Sequence, residues 1–371
     1  MIKRIISIAV SFLLIATLFT GCGQYEAMLS LEDLRAEYNR PDLAGTTLNI
    51  YNWGEYISDG SEDSMNVVKE FEELTGIKVN YSTFDSNESM YSLIKYGGVS
   101  YDIVIPSDYM IERMIKEDML QELDMSKITN YDLIDEKYKN LYFDPENSYS
   151  VPYSVGMVGL IYNTKLVEGE PDSWSVMWDE RYKNDILTFN NPRDAFAIAQ
   201  FMLEQDINTT DKAEWDAAAK LLKDQKQVLQ AYVMDEVFNK MESGSAAIAP
   251  YYAGDFLSMV ENNEDLAFVY PKEGVNIFVD SVCIPKNAKN AEAAHLFINF
   301  LLEPEVALAN AEYIYYASPN TAVTSNPEYS LLGDEILYPE EADMPKTQYF
   351  HDMDSETRAY FDKLWQDVKL Y

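Results

Sequence analysis

Basic residues are scarce in this chain: 28 Lys and Arg stand against 63 Asp and Glu among 371 residues, for a formal net charge of −35. Nucleic-acid binding needs a basic face that displaces counterions from phosphate, so no nucleic-acid partner is expected. Anionic membrane surfaces and anionic substrates are disfavoured for the same reason. Histidine and cysteine are scarcer still, with two of each. That excludes a disulfide framework and leaves little material for zinc or haem, so neither metal nor cofactor is expected. Gly-x-Ser-x-Gly, His-Glu-x-x-His and Walker sequences are missing. Asp352–Glu356 lacks the glycine and spacing of an EF-hand loop. A nucleophilic cysteine wants a histidine partner. Cys283, however, lies in the strand-like run Asp280–Pro285, and His295 in the apolar helix face Ala294–Ile298. Both read as packing residues, no catalytic residue is assigned, and the chain is expected not to be an enzyme. What is abundant points elsewhere: 47% apolar and 13% aromatic residues argue for a packed core rather than an acidic disordered chain. The length suits two domains of roughly 100–200 residues each. An acidic, aromatic-rich body suggests a cationic partner.

Long apolar runs are also lacking, with one exception. Residues 5–19 are apolar apart from Ser7, Ser11 and Thr17, and follow the positive pair Lys3 and Arg4. The run falls short of the ~20 residues needed to cross a bilayer, and reads as the core of a signal peptide. Thr20-Gly21-Cys22 then resembles the end of a bacterial lipoprotein signal. The resemblance implies removal of residues 1–21 and lipidation of Cys22. The mature protein would sit outside the cytoplasm, held to the cell membrane by lipid alone. Residues 22–45 are polar and read as a tether.

Beyond residue 46 the chain alternates. Strands are expected at 47–51, 77–84 and 101–106, with helices at 64–74, 86–96 and near 109–116. Gly76 and Gly97-Gly98 stop the first two helices. Strand-helix-strand order argues a parallel sheet with helices on both faces. After a polar, irregular section at 125–150, the alternation resumes with a strand at 156–162. A helical region opens at 174–178, and helices are expected at 193–204, 213–223, 235–241, 254–261 and 291–302. Strands are expected at 246–249, 266–270 and 275–284. The fold class is therefore α/β, in two units.

Several segments resemble the spermidine/putrescine-binding lipoproteins of ABC importers. They are Tyr51-Asn-Trp-Gly-Glu-Tyr56, Phe71–Val79, Tyr81–Glu88, Tyr101–Ser107, Pro271–Gly274, Asp280-Ser281 and Ile298–Leu302. The resemblance implies a type II periplasmic-binding-protein fold, with two α/β lobes joined by crossover strands around a ligand cleft. Lobe 1 would comprise residues 46–155 plus 280–324, and lobe 2 residues 156–279 plus 325–371. It further implies a monomer that captures putrescine or spermidine by lobe closure and hands it to the permease subunits.

A polyamine is an aliphatic chain with ammonium groups at intervals. It asks for carboxylates at those intervals and aromatic faces between them, each face giving an ammonium ~0.5–2 kcal/mol. Trp53, Glu55 and Tyr56 follow the first strand, and Ser107 and Tyr109 follow the third, at the carboxyl edge where open parallel sheets place ligands. By family position, Asn191 and Asp194 stand where two acids are usual. Tyr251 and Phe278 replace tryptophans, Asp280 matches a central acid, and Tyr316 and Gln348 complete the expected ligand contacts. The acids in that set are Glu55, Asp194 and Asp280. Two further readings stay open. Tyr251-Tyr252 and Tyr315-Tyr316 resemble the phenolate pairs of ferric-ion or other small-cation binders. More distantly, paired carboxylates such as Glu55 and Asp280 suit a glycoside-active enzyme.

Overall fold

The computed structural model describes residues 31–371, so the signal peptide at 1–21 and the lipidation site Cys22 lie outside the described residues. Ten strands build the sheet: β1 Thr47–Trp53, β2 Lys78–Phe84, β3 Ile103–Val104, β4 Ser150–Asn163, β5 Ile186–Phe189, β6 Leu229–Val233, β7 Ile248–Tyr252, β8 Leu266–Val269, β9 Val275–Cys283 and β10 Thr347–Gln348. Their order is β2-β1-β3-β9-β4-β7-β5-β6, with β10 beside β9 and β8 beside β4. At one end β2, β1 and β3 run parallel; at the other β7, β5 and β6 do. The long antiparallel pair β4 and β9 joins them, registered from Ser150 opposite Cys283 to Met157 opposite Ile277. Every residue of β9 is buried. Two α/β units are what the alternation predicts and bridging strands what the resemblance implies, while β5 and β6 are strands that the sequence reading did not expect.

Local chemistry explains the boundaries. Asn66 accepts a hydrogen bond from the Lys69 N–H and starts the helix Val67–Thr75, three residues later than apolar spacing alone indicates. Gly76 ends it at φ 72°, a left-handed conformation that favours glycine. Asn191 caps the helix Pro192–Met202 by accepting from the Arg193 N–H, with Pro192 in the first turn. The section at 125–150 holds only short 3₁₀ turns. Its end is organised by Asp144, whose carboxylate accepts from the N–H groups of Ser148, Tyr149 and Ser150.

The N-terminal stretch departs from expectation. The tether expected over 22–45 is, from Leu31, a helix (Leu31–Tyr38) packed on the core of the first unit. Leu34 and Tyr38 are buried, and the Tyr38 hydroxyl donates to Glu303 Oε1 at 2.6 Å. Apolar residues at i and i+4 anchor it. The C-terminus forms a helix, Ser355–Leu370, capped by Asp354 and buried through Phe361, Leu364 and Val368 against Trp215 and Leu222. Cys283 is buried, as expected of a packing residue. His295 holds the Ala291 carbonyl through Nδ1 and accepts from the Asp124 N–H through Nε2. Among the described residues no helix is long and apolar enough to cross a membrane.

Candidate functional site

The parallel strands of both units point their carboxyl ends at one cleft, and the residues just beyond those ends line it. Trp53 ends β1 with Gly54 and Tyr56 beyond it, Asp85 and Asn87 follow β2, and Ser107–Tyr109 follow β3. Asn191–Asp194 follow β5, Met234 and Asp235 follow β6, and Asp255 follows β7. Asn276, Phe278 and Asp280 of β9 form the floor. The units approach closely here: a Cβ added to Gly54 would stand 3.5 Å from Asp235 Oδ2.

Ten of the twelve residues expected from sequence line this cavity: Trp53, Tyr56, Ser107, Tyr109, Asn191, Asp194, Tyr251, Phe278, Asp280 and Tyr316. Glu55 does not. It sits at φ 50° in the turn after β1 and lines an adjoining space with Asp235 and Asp255. Gln348 lies beside the floor, in register with Asn276, and its Oε1 accepts from the Ile207 N–H at 3.2 Å. The amide at Asn191 also has a local task, because its oxygen caps the helix that presents Asp194.

The acid count is higher than the sequence indicates. Among the described residues Asp85, Asp108, Asp194, Asp235, Asp255 and Asp280 all line the cavity, against a single cation, Arg193. Asp108 is tied to backbone, accepting from the Tyr109 and Val279 N–H groups. Asp194 Oδ2 accepts from the Tyr252 hydroxyl at 2.7 Å, and Asp280 Oδ2 from that of Tyr56 at 2.7 Å. Asp280 Oδ1, Asn276 Oδ1 and Trp53 Nε1 are buried without a hydrogen-bonding partner. Two acceptors and one donor are therefore left for something in the cleft.

The aromatic faces form two walls. Trp53 leans on Phe84 with ring centroids 4.5 Å apart. Opposite, Tyr56 meets Tyr316 edge-on at 5.1 Å, and Tyr252 meets Phe278 edge-on at 5.5 Å. Crowding acids into such a space strains their ionisation. Burial pushes Asp194 up to about 7, with Glu88 and Asp280 adding to the rise and the Tyr252 hydroxyl and Arg193 opposing it. Burial also pushes Asp255 up to about 7, reinforced by Asp235 and Glu55, and Asp280 up to about 6. Asp235 at the rim is raised by burial and by Asp85, Glu236 and Glu55. The cleft gathers carboxylates, with Asp108, Asp194 and Asp280 buried and Asp85 and Asp235 exposed at its edge, and is short of cations, which is chemistry for holding a linear polycation.

Sequence reasoning missed Asp85, Asp255, Tyr252 and Arg193 as lining residues. For Asp85 and Asp255 the signal was available, since each lies a few residues past an expected strand, whereas the strand before Asp235 was not expected from sequence.

Residues 100–331 match the family described as bacterial extracellular solute-binding protein. The chain is 36% identical to the spermidine/putrescine-binding periplasmic protein of Salmonella typhimurium over 87% of its own length and 91% of that protein. It is 35% identical to the protein of the same name from Escherichia coli over the same shares. Among solved structures, the spermidine/putrescine ABC transporter substrate-binding protein PotD of Streptococcus pneumoniae superposes with a TM-score of 0.73 at 37% identity, covering 88% of this chain and 99% of that one.

Proposed function

Since the chain belongs to the bacterial extracellular solute-binding proteins, in the branch of the spermidine/putrescine-binding proteins, we propose that it captures polyamines outside the cytoplasm for an ABC importer. It has the type II periplasmic-binding-protein fold of that family. The observation that carries the ligand class is the cavity lined by six aspartates and one arginine between aromatic walls.

Ammonium groups would pair with Asp280 on the floor, with Asp194 on the second unit, and with Asp255 and Asp235 towards the mouth. The methylenes between them would lie on Trp53, Tyr56, Phe278 and Tyr252. Because the lining comes from both units, a bound polyamine touches both and favours the closed arrangement. The closed form would be what the permease subunits recognise. Lipid on Cys22 would hold the monomer at the membrane, and no chemical step is assigned to it.

The tyrosine pairs suit this reading better than ferric binding. Tyr252 donates its proton to Asp194 and Tyr315 donates to Glu261, so both phenols are engaged as donors. Calorimetric titration of the mature chain with putrescine, cadaverine, spermidine and spermine tests the proposal. Saturable binding of at least one is expected. No heat and no thermal shift with all four would overturn it.

A further inference from the structure

We infer that Arg193, packed with Tyr109, is the end wall of the cleft and sets the length of polyamine it accepts; the inference rests on the polyamine reading. Among the described residues Arg193 is the only cation lining the cavity, and it is 4% exposed. It occupies the first turn of the helix Pro192–Met202, where the helix dipole disfavours positive charge. Among the described residues it makes no ion pair, and its one side-chain hydrogen bond is a long 3.4 Å contact to Asn208 Oδ1. Aromatic faces hold it instead, with its guanidinium carbon 4.3 Å from the Phe350 ring centroid and 5.2 Å from that of Tyr109. A buried, under-paired arginine in an acidic cleft is poor for stability, which points to a role in the cleft.

Behind this wall lies a second cavity. Tyr109 and Arg193 line both spaces, and Glu88, Asp352 and Asp362 line the far one. The other cations there already have partners: Arg358 pairs with Asp352 at 2.6 Å and Arg113 with Glu117 at 3.1 Å. Glu88 Oε1 accepts from the Tyr109 hydroxyl at 3.0 Å, and its Oε2 is buried without a partner. An acidic space therefore continues past the wall. A polyamine growing towards it meets the guanidinium, a fixed charge of its own sign, and like charges brought together in a desolvated site repel strongly. The mouth has no such barrier. There the cleft continues through Asp235 and Asp255 to Glu55, Glu261 and Glu312.

The test compares putrescine, spermidine and spermine by calorimetry on the wild-type chain and on Arg193→Met, which keeps a long apolar stem and removes the charge. The ratio of spermine to putrescine affinity should rise about tenfold or more in the variant. An unchanged ratio overturns the inference, whether all affinities move together or none does. Wild-type protein that binds no amine would instead overturn the polyamine reading itself. If Arg193→Met shows no cooperative melting, Tyr109→Ala opens the wall from the other unit without altering charge. The same shift in ratio is expected from it, and its absence is equally decisive.

Discussion

The Tyr56 hydroxyl donates to Asp280 Oδ2 at 2.7 Å, while Oδ1 of the same carboxylate is buried with no partner. One oxygen is fixed by the protein, and in the proposed site the other would accept from a ligand ammonium. Asp280→Asn keeps an acceptor for Tyr56 and removes the charge. Removing one partner of a buried ion pair costs about 3–5 kcal/mol, so polyamine affinity should fall by about a hundredfold or more. Calorimetry on the variant checks this. Binding within a few-fold of wild type would remove Asp280 from the site while leaving the polyamine reading in place.

Proton release should accompany binding. Asp194 and Asp255 are pushed up to about 7 and Asp280 to about 6 by burial, so near neutrality the empty cleft holds protons on some of them. An ammonium ligand favours the ionised carboxylates and expels those protons. Affinity should therefore fall as pH is lowered from 8 to 5. Titration at pH 6.5 in two buffers of different ionisation heat should show net proton release. Equal heats in both buffers would contradict the assigned pairing.

The same burial shapes the stability of the empty protein. Asp255 has a folded pKa raised from 3.8 to about 7. Between those values the folded state binds the extra proton, so this group's contribution becomes less favourable as pH rises through the window. Asp255→Asn should melt higher than wild type at pH 8, and the gap should close towards pH 4. Paired thermal melts without ligand measure it. A gap independent of pH would mean that Asp255 is not held in a desolvated state.

Much of this was legible from residue order. Strand-helix-strand alternation located the first parallel sheet but missed β5 and β6 of the second, runs of only four and five residues. The rule that ligands gather beyond parallel strands selected Trp53, Tyr56, Ser107 and Tyr109, and also Glu55, which lines the adjoining space instead. Side-chain direction was harder to read. Tyr251 and Tyr252 are adjacent at the end of β7, and only the fold shows that Tyr252 reaches Asp194 while Tyr251 stacks on Phe189 at 5.4 Å. Charge assembly was harder still, because Asp85, Asp235 and Asp255 are far apart in the chain and converge only when both units face each other. Asn191 shows a different difficulty: helix capping and ligand contact favour the same small polar residues.

Tyr252→Phe should separate positioning from charge. Its hydroxyl holds the Asp194 pKa below the level that burial alone would set. Without it, Asp194 keeps its proton to higher pH. The midpoint of the affinity-versus-pH curve should therefore move upward, with only a modest loss of affinity at pH 8.5, where Asp194 is ionised in either form. Equal loss at all pH values would show instead that the hydroxyl acts by packing or by touching the ligand directly.

The helix Leu31–Tyr38 offers a contrast remote from the cleft. Tyr38 is fully buried, its ring meets Phe300 edge-on at 5.4 Å, and its hydroxyl donates to Glu303 while accepting from the Asn299 side chain at 2.9 Å. Tyr38→Phe preserves the ring contact and removes both hydrogen bonds. Glu303 retains the Asn130 amide at 2.6 Å, so its carboxylate is not left wholly unpaired. The variant should lose about 1–3 kcal/mol of stability, the range for a buried polar group deprived of a partner. Polyamine affinity should not change, because neither Tyr38 nor Glu303 lines the cleft. Urea unfolding and calorimetry on one preparation decide it. A stability loss with intact binding makes residues from Leu31 onward part of the folded body, whereas unchanged unfolding would return them to the tether.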